Sequence, residues 1–336
     1  MNFILTIDTA ADNQWATGKE LTLENIRNLP RLQKLCDKYH IKPTYMLASE
    51  TCEDSFSREM FSDFLENDQA EVGALLNPWT TPPFFNRDGL RYNDIRHAFP
   101  NEISEDIVAN KIRYLTDQIR TTFSIRPTSF RAGRFGFSEN IARILMVNEY
   151  MVDSSITPFV NWSGYVGIPG FRGGPDYILR KPYPFTYNHK GNSLLEIPLT
   201  VLPTRFPLNK NRKITDYYFN NVNRNIVLKG LRSMFYRYQP LWLRPYPWMT
   251  IDLLDEVTNE ALSKKLPYIV MVFFSGELTP ACSIYRSDNE ATENMFDLLE
   301  NFFNLLAHYH IGSVTLTEAA KKYELVTGTT LSYKYV

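Results

Sequence analysis

Short apolar runs alternate with longer segments of helical periodicity along almost the whole of this chain. The short runs predict strands, and the longer segments predict helices of about 10–20 residues. Strands that alternate with helices form βαβ units, which build a parallel sheet. With about seven or eight such strands, the pattern favours an α/β fold with a closed or nearly closed barrel over an open doubly wound sheet.

The pattern places the individual elements along the chain. The predicted strands are Phe3–Ile7, Thr44–Leu47, Glu71–Leu75, Ser129–Arg131, Met151–Ser154, Leu194–Pro198, Tyr268–Phe274 and Ser313–Thr315. The predicted helices are Glu24–Tyr39, Ser57–Glu66, Ser104–Phe123, Glu139–Asn148 and Ala291–His308. Thr22 is predicted to cap the first helix, and Ser104 and Ser138 to cap the third and fourth.

Two regions interrupt this rhythm. Residues 157–192 are rich in glycine, proline and aromatic residues, and residues 203–248 are basic and aromatic. Both read as loop-rich insertions beside the barrel, because neither continues the alternation of strand and helix. Since α/β barrels often reach this length as one unit, we predict a single domain over residues 1–336.

Composition narrows the classes of function and location. The net charge is −1, which argues against a basic nucleic-acid-binding face. Of the 336 residues, 44% are hydrophobic, which is enough for a large core. No run approaches the roughly 18 apolar residues of a membrane span, and the N-terminus reads as a strand, not a signal peptide. Cys36, Cys52 and Cys282 lack metal-like spacing and fit reduced or buried thiols. We therefore expect a cytoplasmic protein.

Carboxylates follow several predicted strands, where barrels concentrate their reactive groups. Asp8 ends the first strand, Asp12 lies in the loop after it, and Glu277 follows the strand that ends at Phe274. Asp8 fits a general base or a metal ligand, or else a strand-end residue that caps the next loop. Glu277 is either a second carboxylate at the barrel mouth or a loop acid.

Two arginines flank Gly133 after the fourth strand. Arg131 and Arg134 fit the orientation of a carboxylate or the bidentate binding of an acidic ligand group. The structural alternative is that Arg131 neutralises Asp8 inside the barrel mouth. An arginine that positions Asp8 would still belong to the site.

Tryptophans near the strand ends are candidates for stacking against sugar rings. Trp79 follows the third strand, Trp15 lies in the loop after Asp8, and Trp162 lies in the first insertion. The alternative for each is hydrophobic anchoring of a loop. Asn77, two residues before Trp79, is a further candidate for contact with substrate.

The histidines give no catalytic pattern. His40, His97, His189, His308 and His310 all lie away from predicted strand ends. His308 and His310 form an HxH pair at the close of a helix, without a third ligand nearby. The sequence also has no P-loop, GxGxxG motif or Gly-x-Ser-x-Gly elbow.

These motifs, taken in order from Phe3 to Tyr323, resemble the polysaccharide deacetylases, the carbohydrate esterases with NodB homology. The resemblance rests on Leu5–Asp8 (LTID), Glu71–Pro83 (EVGALLNPWTTPP), Phe130–Arg134 (FRAGR), Tyr150–Pro158 (YMVDSSITP), Leu194–Pro198 (LLEIP) and Phe274–Leu278 (FSGEL). It implies a distorted (β/α)7-type barrel. It also implies that Asp8 is the catalytic base, that Arg131 orients it, and that an acetylated carbohydrate is the substrate.

This sequence departs from the family pattern where the chemistry lies. The resemblance implies a divalent metal such as zinc, but Leu75 and Asn77 stand where the family has its metal-binding histidines. Thr9 or Ala10 takes the place of the acidic ligand, and Phe274 the place of the catalytic histidine. Leucine and phenylalanine neither coordinate a metal nor relay a proton. We therefore expect no metal cofactor.

Three functions fit these observations. The first is hydrolysis of N- or O-acetyl groups on a carbohydrate, impaired or lost through the missing histidines. The second is a non-catalytic relative that keeps the pocket to bind a saccharide, and the residues at the strand ends favour it. The third is a protein-interaction scaffold that uses the aromatic insertion at 203–248.

Overall fold

The computed structural model describes residues 1–14, 20–84, 98–171, 173–203 and 240–327. Its strands are β1 (Asn2–Thr9), β2 (Thr44–Leu47), β3 (Glu71–Leu76), β4 (Ser129–Ala132), β5 (Val152–Asp153), β6 (Phe185–His189), β7 (Asn192–Glu196), β8 (Val201–Leu202), β9 (Leu241–Trp242) and β10 (Tyr268–Phe274). Its α-helices are α1 (Leu29–Lys38), α2 (Ser55–Glu66), α3 (Glu105–Phe123), α4 (Glu139–Val147), α5 (Ile251–Ser263), α6 (Asn289–His308) and α7 (Leu316–Thr327).

Eight of these strands form one curled sheet in the order β10-β1-β2-β3-β4-β5-β7-β6. The pairs from β10 to β7 are parallel, and only the edge strand β6 runs antiparallel to its neighbour. The helices flank this sheet, which has the shape of a half-barrel. The predicted distorted (β/α) barrel is therefore confirmed.

Two hydrogen bonds between Thr200 and Val270 bridge the open side of the half-barrel, in place of a continuous ladder of paired strands. The backbone N–H of Thr200 donates to the carbonyl of Val270 at 3.1 Å, and the N–H of Val270 donates to the Thr200 hydroxyl at 2.7 Å. Strands β8 and β9 form a separate antiparallel pair next to this contact. The chain that follows β7 thus approaches β10 and brings the two sides of the barrel together.

Successive side chains along each strand point to opposite faces of the sheet, so they form an outer and an inner layer. Phe3, Leu5 and Ile7 of β1 join the core that also contains the buried faces of the helices, while Ile4 joins a second core inside the curl. Thr6 and Asp8 lie two and four residues after Ile4, so their side chains point to the same face of the sheet as that of Ile4. The same alternation places Asp8 at the inner end of β1.

Two local predictions were wrong, and one predicted helix cap is confirmed. Residues 313–315 form no strand, because Ser313 makes a single bridge with Phe3 before α7 begins. Thr22 caps no helix: a 3-10 helix begins at Glu24, and Asp12 accepts both the Asn25 N–H and the Thr22 hydroxyl. Ser138 does cap α4, and its hydroxyl accepts from the Ile141 N–H.

The two insertions differ in what the structure describes. The first, residues 157–192, supplies strand β6 to the edge of the sheet. Most of the second, residues 204–239, lies outside the described residues. Its last part returns through β9, and the side chains of Leu241 and Leu243 are buried. Among the helices in the described ranges, none is both long and apolar enough to cross a membrane.

Candidate functional site

A cavity of about 490 Å³ opens at the carboxyl ends of the inner strands. Asp8 of β1, Leu75 of β3 and Phe274 of β10 contribute to its floor, and Gly133 follows β4 on the same side. These positions converge because parallel strands end at one edge of the sheet and each residue points to its inner face. The cavity therefore occupies the place where barrel enzymes bind their substrates.

Asp8 lies in the base of this cavity, and Arg131 lies behind it without lining the cavity. Asp8 is 4% exposed, Arg131 is fully buried, and Arg131 Nη1 lies 3.5 Å from Asp8 Oδ1. Arg131 Nη2 donates to the Thr6 hydroxyl at 3.0 Å, whereas Asp8 Oδ1 accepts no hydrogen bond from the described residues. Burial raises the pKa of Asp8, and the charges of Arg131 and Arg244 partly oppose this shift.

The loop after β3 forms a wall of the cavity through Asn77 and Trp79. Trp79 is only 5% exposed, and its indole N–H donates to Gln14 Oε1 at 2.7 Å. Lys111 of α3 holds the loop from behind, because its ammonium group donates to the carbonyls of Pro78, Thr81 and Pro83. Burial lowers the pKa of Lys111 to about 7. The loop after β3 is thus tied to helix α3.

The turn after β4 places one more aromatic ring in the cavity. Gly133 passes so close to Asn77 that an added Cβ would lie 2.5 Å from its side-chain oxygen. Arg134 and Phe135 follow with φ values of 53° and 60°, in the left-handed region. Phe135 lines the cavity, while the Arg134 guanidinium stacks on Phe99 and donates to the Val166 carbonyl.

Aromatic side chains supply most of the remaining wall. Trp162 comes from the first insertion, and Trp242 and Tyr246 from the described end of the second. The rings of Trp162 and Trp242 lie 6.3 Å apart, and Phe135 is 5.5 Å from the first and 5.9 Å from the second. Such half-buried aromatic faces suit stacking against a sugar ring.

Arg244 is a site residue that the sequence did not single out. Its guanidinium lines the cavity, is 2% exposed, and donates through Nη2 to Glu277 Oε1 at 2.5 Å. Glu277 Oε1 also accepts the backbone N–H of Phe274 at 3.0 Å. Glu277 is fully buried behind the wall, so it holds Arg244 in place and does not itself line the cavity.

Two other predicted site residues take different places. Asp12 is 2% exposed and pins the loop that precedes α1, through the Asn25 N–H and the Thr22 hydroxyl. Burial raises the pKa of Asp12, and hydrogen bonds from Asn25, Thr22 and Cys282 only partly oppose this shift. It does not line the cavity. Trp15 lies outside the described residues.

The side chains at the cavity floor do not fit a divalent metal. Leu75 and Phe274 offer no donor atom, and Asn77 offers one neutral oxygen. The described ranges contain no group of three or more His, Cys, Asp and Glu side chains that could hold a metal ion. No hydrolytic step through a bound metal follows from these residues.

Comparisons with known proteins support the fold. No protein-family model and no curated protein sequence matches the chain. Among solved structures, a Mycobacterium smegmatis protein assigned to the polysaccharide deacetylases matches with TM-score 0.55 and 12% identity, over 99% of this chain and 95% of that chain. The Puue allantoinase matches with TM-score 0.52 and 11% identity, over 98% and 91% of the two chains.

CE4 family proteins match less closely. A CE4 family pseudoenzyme from Bacillus anthracis matches with TM-score 0.41 and 12% identity, over 95% of this chain and 65% of that chain. This similarity is too low to support an inference about function. The resemblance of the sequence motifs to the polysaccharide deacetylases is confirmed at the level of the fold.

Proposed function

We propose that this polysaccharide deacetylase-like protein binds a carbohydrate in the cavity at the strand ends and that its capacity for deacetylation is impaired or lost. The observation that carries the proposal is the cavity itself. Its walls present the rings of Trp162, Trp242 and Phe135, and Asp8 is the one carboxyl group among the described residues that line it. Aromatic faces beside a few fixed polar groups are the usual composition of a saccharide site.

The loss of deacetylation follows from the side chains at the floor. Metal-dependent hydrolysis needs ligands that hold the cation and a group that protonates the leaving amine or alcohol. Leu75, Asn77 and Phe274 cannot supply these functions. Among the described residues at the floor, Asp8 remains, with Arg131 behind it, and the Asp8 carboxyl group can form a hydrogen bond with a hydroxyl or amide of a ligand.

A binding assay tests the first part. We expect acetylated oligosaccharides to bind the wild-type protein and to quench its tryptophan fluorescence, because Trp162 and Trp242 line the cavity. Trp242→Ala should lose this binding. Trp248→Ala is the matched control, since Trp248 is 55% exposed and does not line the cavity. Equal binding by both variants would place the ligand elsewhere.

A second candidate function is hydrolysis with Asp8 as a general base and without a metal. The raised pKa of Asp8, caused mainly by burial, makes its carboxylate a stronger proton acceptor than that of an exposed aspartate. Acetate release from acetylated oligosaccharides, measured with and without added zinc or cobalt, separates the candidates. We expect no acetate release under either condition. Release by the wild type that Asp8→Asn abolishes would instead contradict the proposed loss of deacetylation.

The scaffold function depends on residues 203–248. The described end of this segment packs into the cavity wall through Trp242 and Arg244, which favours a role in ligand binding over a free interaction surface. Residues 204–239 lie outside the described residues, so that hypothesis stays a prediction.

A further inference from the structure

Arg244 is a buried cation on the wall of the cavity with few acceptors. Among the described residues only its Nη2 finds a hydrogen-bond acceptor, Glu277 Oε1, and its buried Nε has none. A guanidinium group carries five N–H donors in a planar fork. Taking such a group out of water is costly unless those donors are satisfied. Hydrogen bonds from Arg244 to the acceptors of a ligand would therefore offset a desolvation cost that the described residues leave partly uncompensated.

The surroundings of Arg244 fix its position without satisfying its donors. The ring centroids of Phe274, Tyr246 and Tyr285 lie 4.6, 4.7 and 5.3 Å from the guanidinium carbon. These faces attract the cation, and their low polarity strengthens its interaction with any anion nearby. The group is thus held in one orientation before a ligand arrives, which lowers the entropic cost of binding.

The charges that line the cavity favour an anion at this wall. In the described part of the chain the lining contains one carboxyl group, Asp8, and two guanidinium groups, Arg134 and Arg244. The Arg134 guanidinium is already engaged with Phe99 and the Val166 carbonyl. The charge of Asp8 is compensated by Arg131, whose Nη1 lies 3.5 Å from Asp8 Oδ1. Arg244 is then the group that an anionic ligand would meet.

We propose that the saccharide bound in this cavity carries a carboxylate, and that Arg244 binds this carboxylate while the aromatic wall contacts the sugar ring. The proposal rests on the proposed saccharide-binding function and narrows it to acidic sugars. A carboxylate fits because its two oxygens match the spacing of the guanidinium fork. The carboxylate could belong to the sugar itself, as in a uronic acid, or to an acidic substituent such as a lactyl ether.

Two matched pairs of ligands test the proposal on the wild-type chain. One pair is the methyl glycosides of glucuronic acid and glucose, and the other those of N-acetylmuramic acid and N-acetylglucosamine. Binding is measured by calorimetry at constant ionic strength. We expect at least one acidic sugar to bind about tenfold or more tightly than its neutral partner, because a charge-assisted bidentate contact is gained. The pair that shows the preference identifies the source of the carboxylate.

The double variant Arg244→Gln/Glu277→Gln assigns the effect to this residue. It replaces the buried ion pair by two uncharged amides, which avoids the unpaired charge that either single variant would leave. We expect the acidic preference to disappear while affinity for the neutral sugar changes less than about threefold. Arg113→Gln, which removes one exposed charge from α3, is the control for net charge and should keep the preference.

The outcomes separate this inference from the proposed function. If neutral and acidic partners bind equally well to the wild type, the acidic-ligand proposal is wrong and saccharide binding stands. A preference that persists in the double variant overturns the assignment to Arg244. If no sugar of either pair binds, saccharide binding in this cavity fails, and the present inference fails with it.

Discussion

Two buried carboxyl sites share the charge of Arg131, but their surroundings differ. Asp8 faces the cavity, with arginines nearby and an oxygen that accepts no hydrogen bond from the described residues. Asp153 and Glu196 pair in register on β5 and β7 and are fully buried. They do not line the cavity. Burial alone therefore does not distinguish a ligand-binding carboxyl group from a structural one.

The inner pair has hydrogen-bond partners within the chain. Asp153 accepts the hydroxyl of Ser155 at 2.7 Å and its backbone N–H at 3.0 Å, and Glu196 accepts the Ile156 N–H at 3.0 Å. Burial, and then the charge of Asp153, raise the pKa of Glu196 well above its ordinary value. The inner pair is thus held by the chain's own donors at Asp153 and at Glu196 Oε1. Glu196 Oε2, like Asp8 Oδ1, accepts no hydrogen bond from the described residues, so the two sites differ in that Asp8 lines the cavity and the inner pair does not.

Removal of Arg131 should have the largest effect, because it strips the compensating charge from both sites. Arg131→Met is expected to lower the free energy of unfolding by about 3–5 kcal/mol, measured by urea denaturation. Arg126→Met is the control, since its ion pair with Glu149 is partly exposed and should contribute about 1 kcal/mol or less. Similar losses in the two variants would show that Arg131 compensates neither buried carboxyl site.

Ser155→Ala tests whether the chain's own donors hold the inner pair. Besides donating to Asp153, the Ser155 hydroxyl accepts the buried Ala132 N–H at 2.8 Å, so the variant leaves that N–H unpaired. We expect a loss of about 1–3 kcal/mol in unfolding free energy. Ser154→Ala is the matched control: its hydroxyl is also fully buried but has no hydrogen-bond partner among the described residues. It should change stability by about 0.5 kcal/mol or less, and an equal loss in both variants contradicts the assignment.

The pH dependence of stability should report on the protonation of the inner pair. Because the pKa of Glu196 is raised on folding, the folded state binds more protons than the unfolded state above about pH 4.5. Its contribution to stability therefore falls as pH rises from there to the folded-state pKa, by up to about 1.4 kcal/mol per pH unit. Glu196→Gln should flatten this part of the curve, as followed by urea midpoints between about pH 5 and pH 8. Parallel curves for wild type and variant would rule out this linkage.

The smallest change in stability is expected at the cavity. Asp8→Asn keeps the shape of the side chain and removes the cost of burying its charge. The Arg131 charge left behind still interacts with Asp153 and Glu196, so unfolding free energy should shift by about 1 kcal/mol or less. Saccharide affinity should instead fall about tenfold, because Asp8 lies in the cavity floor. Glu196→Gln should leave that affinity within about twofold. An affinity that falls only in Glu196→Gln would reverse the roles assigned to the two sites.

Much of the barrel was predictable because its strands are short and strongly apolar. Thr44–Leu47 and Tyr268–Phe274 have the predicted bounds, and Glu71–Leu76 differs by one residue. Helix α5 was missed although it carries an ordinary signal, with Thr250 as a cap and Leu254, Val257, Thr258 and Ala261 on its buried face. Strands β8 and β9 have two residues each, too few to show a period.

The candidate site was predicted mainly where it lies on strand ends, although the predicted Arg134 and Trp162 also line the cavity. Asp8, Asn77 and Trp79 line the cavity, and their position follows from the ends of β1 and β3. Their roles in binding stay predictions. Arg244 and Trp242 escaped the sequence because they lie in a long segment without periodicity, and their partners are distant in the chain. Arg244 binds Glu277, 33 residues away.

The sequence by itself determined the barrel and the chemical groups that stand at its strand ends. Alternating apolar runs specify parallel strands, and residue identity at Leu75, Asn77 and Phe274 excludes the family's metal ligands and proton donor. Only the tertiary structure decided which charges meet. The exposure of Asp8 to the cavity, the closure of Asp153 and Glu196 behind it, and the contact of Arg244 with Glu277 depend on long-range packing. Burial and hydrogen-bond partners, which local sequence does not encode, set the free energy of each of these groups.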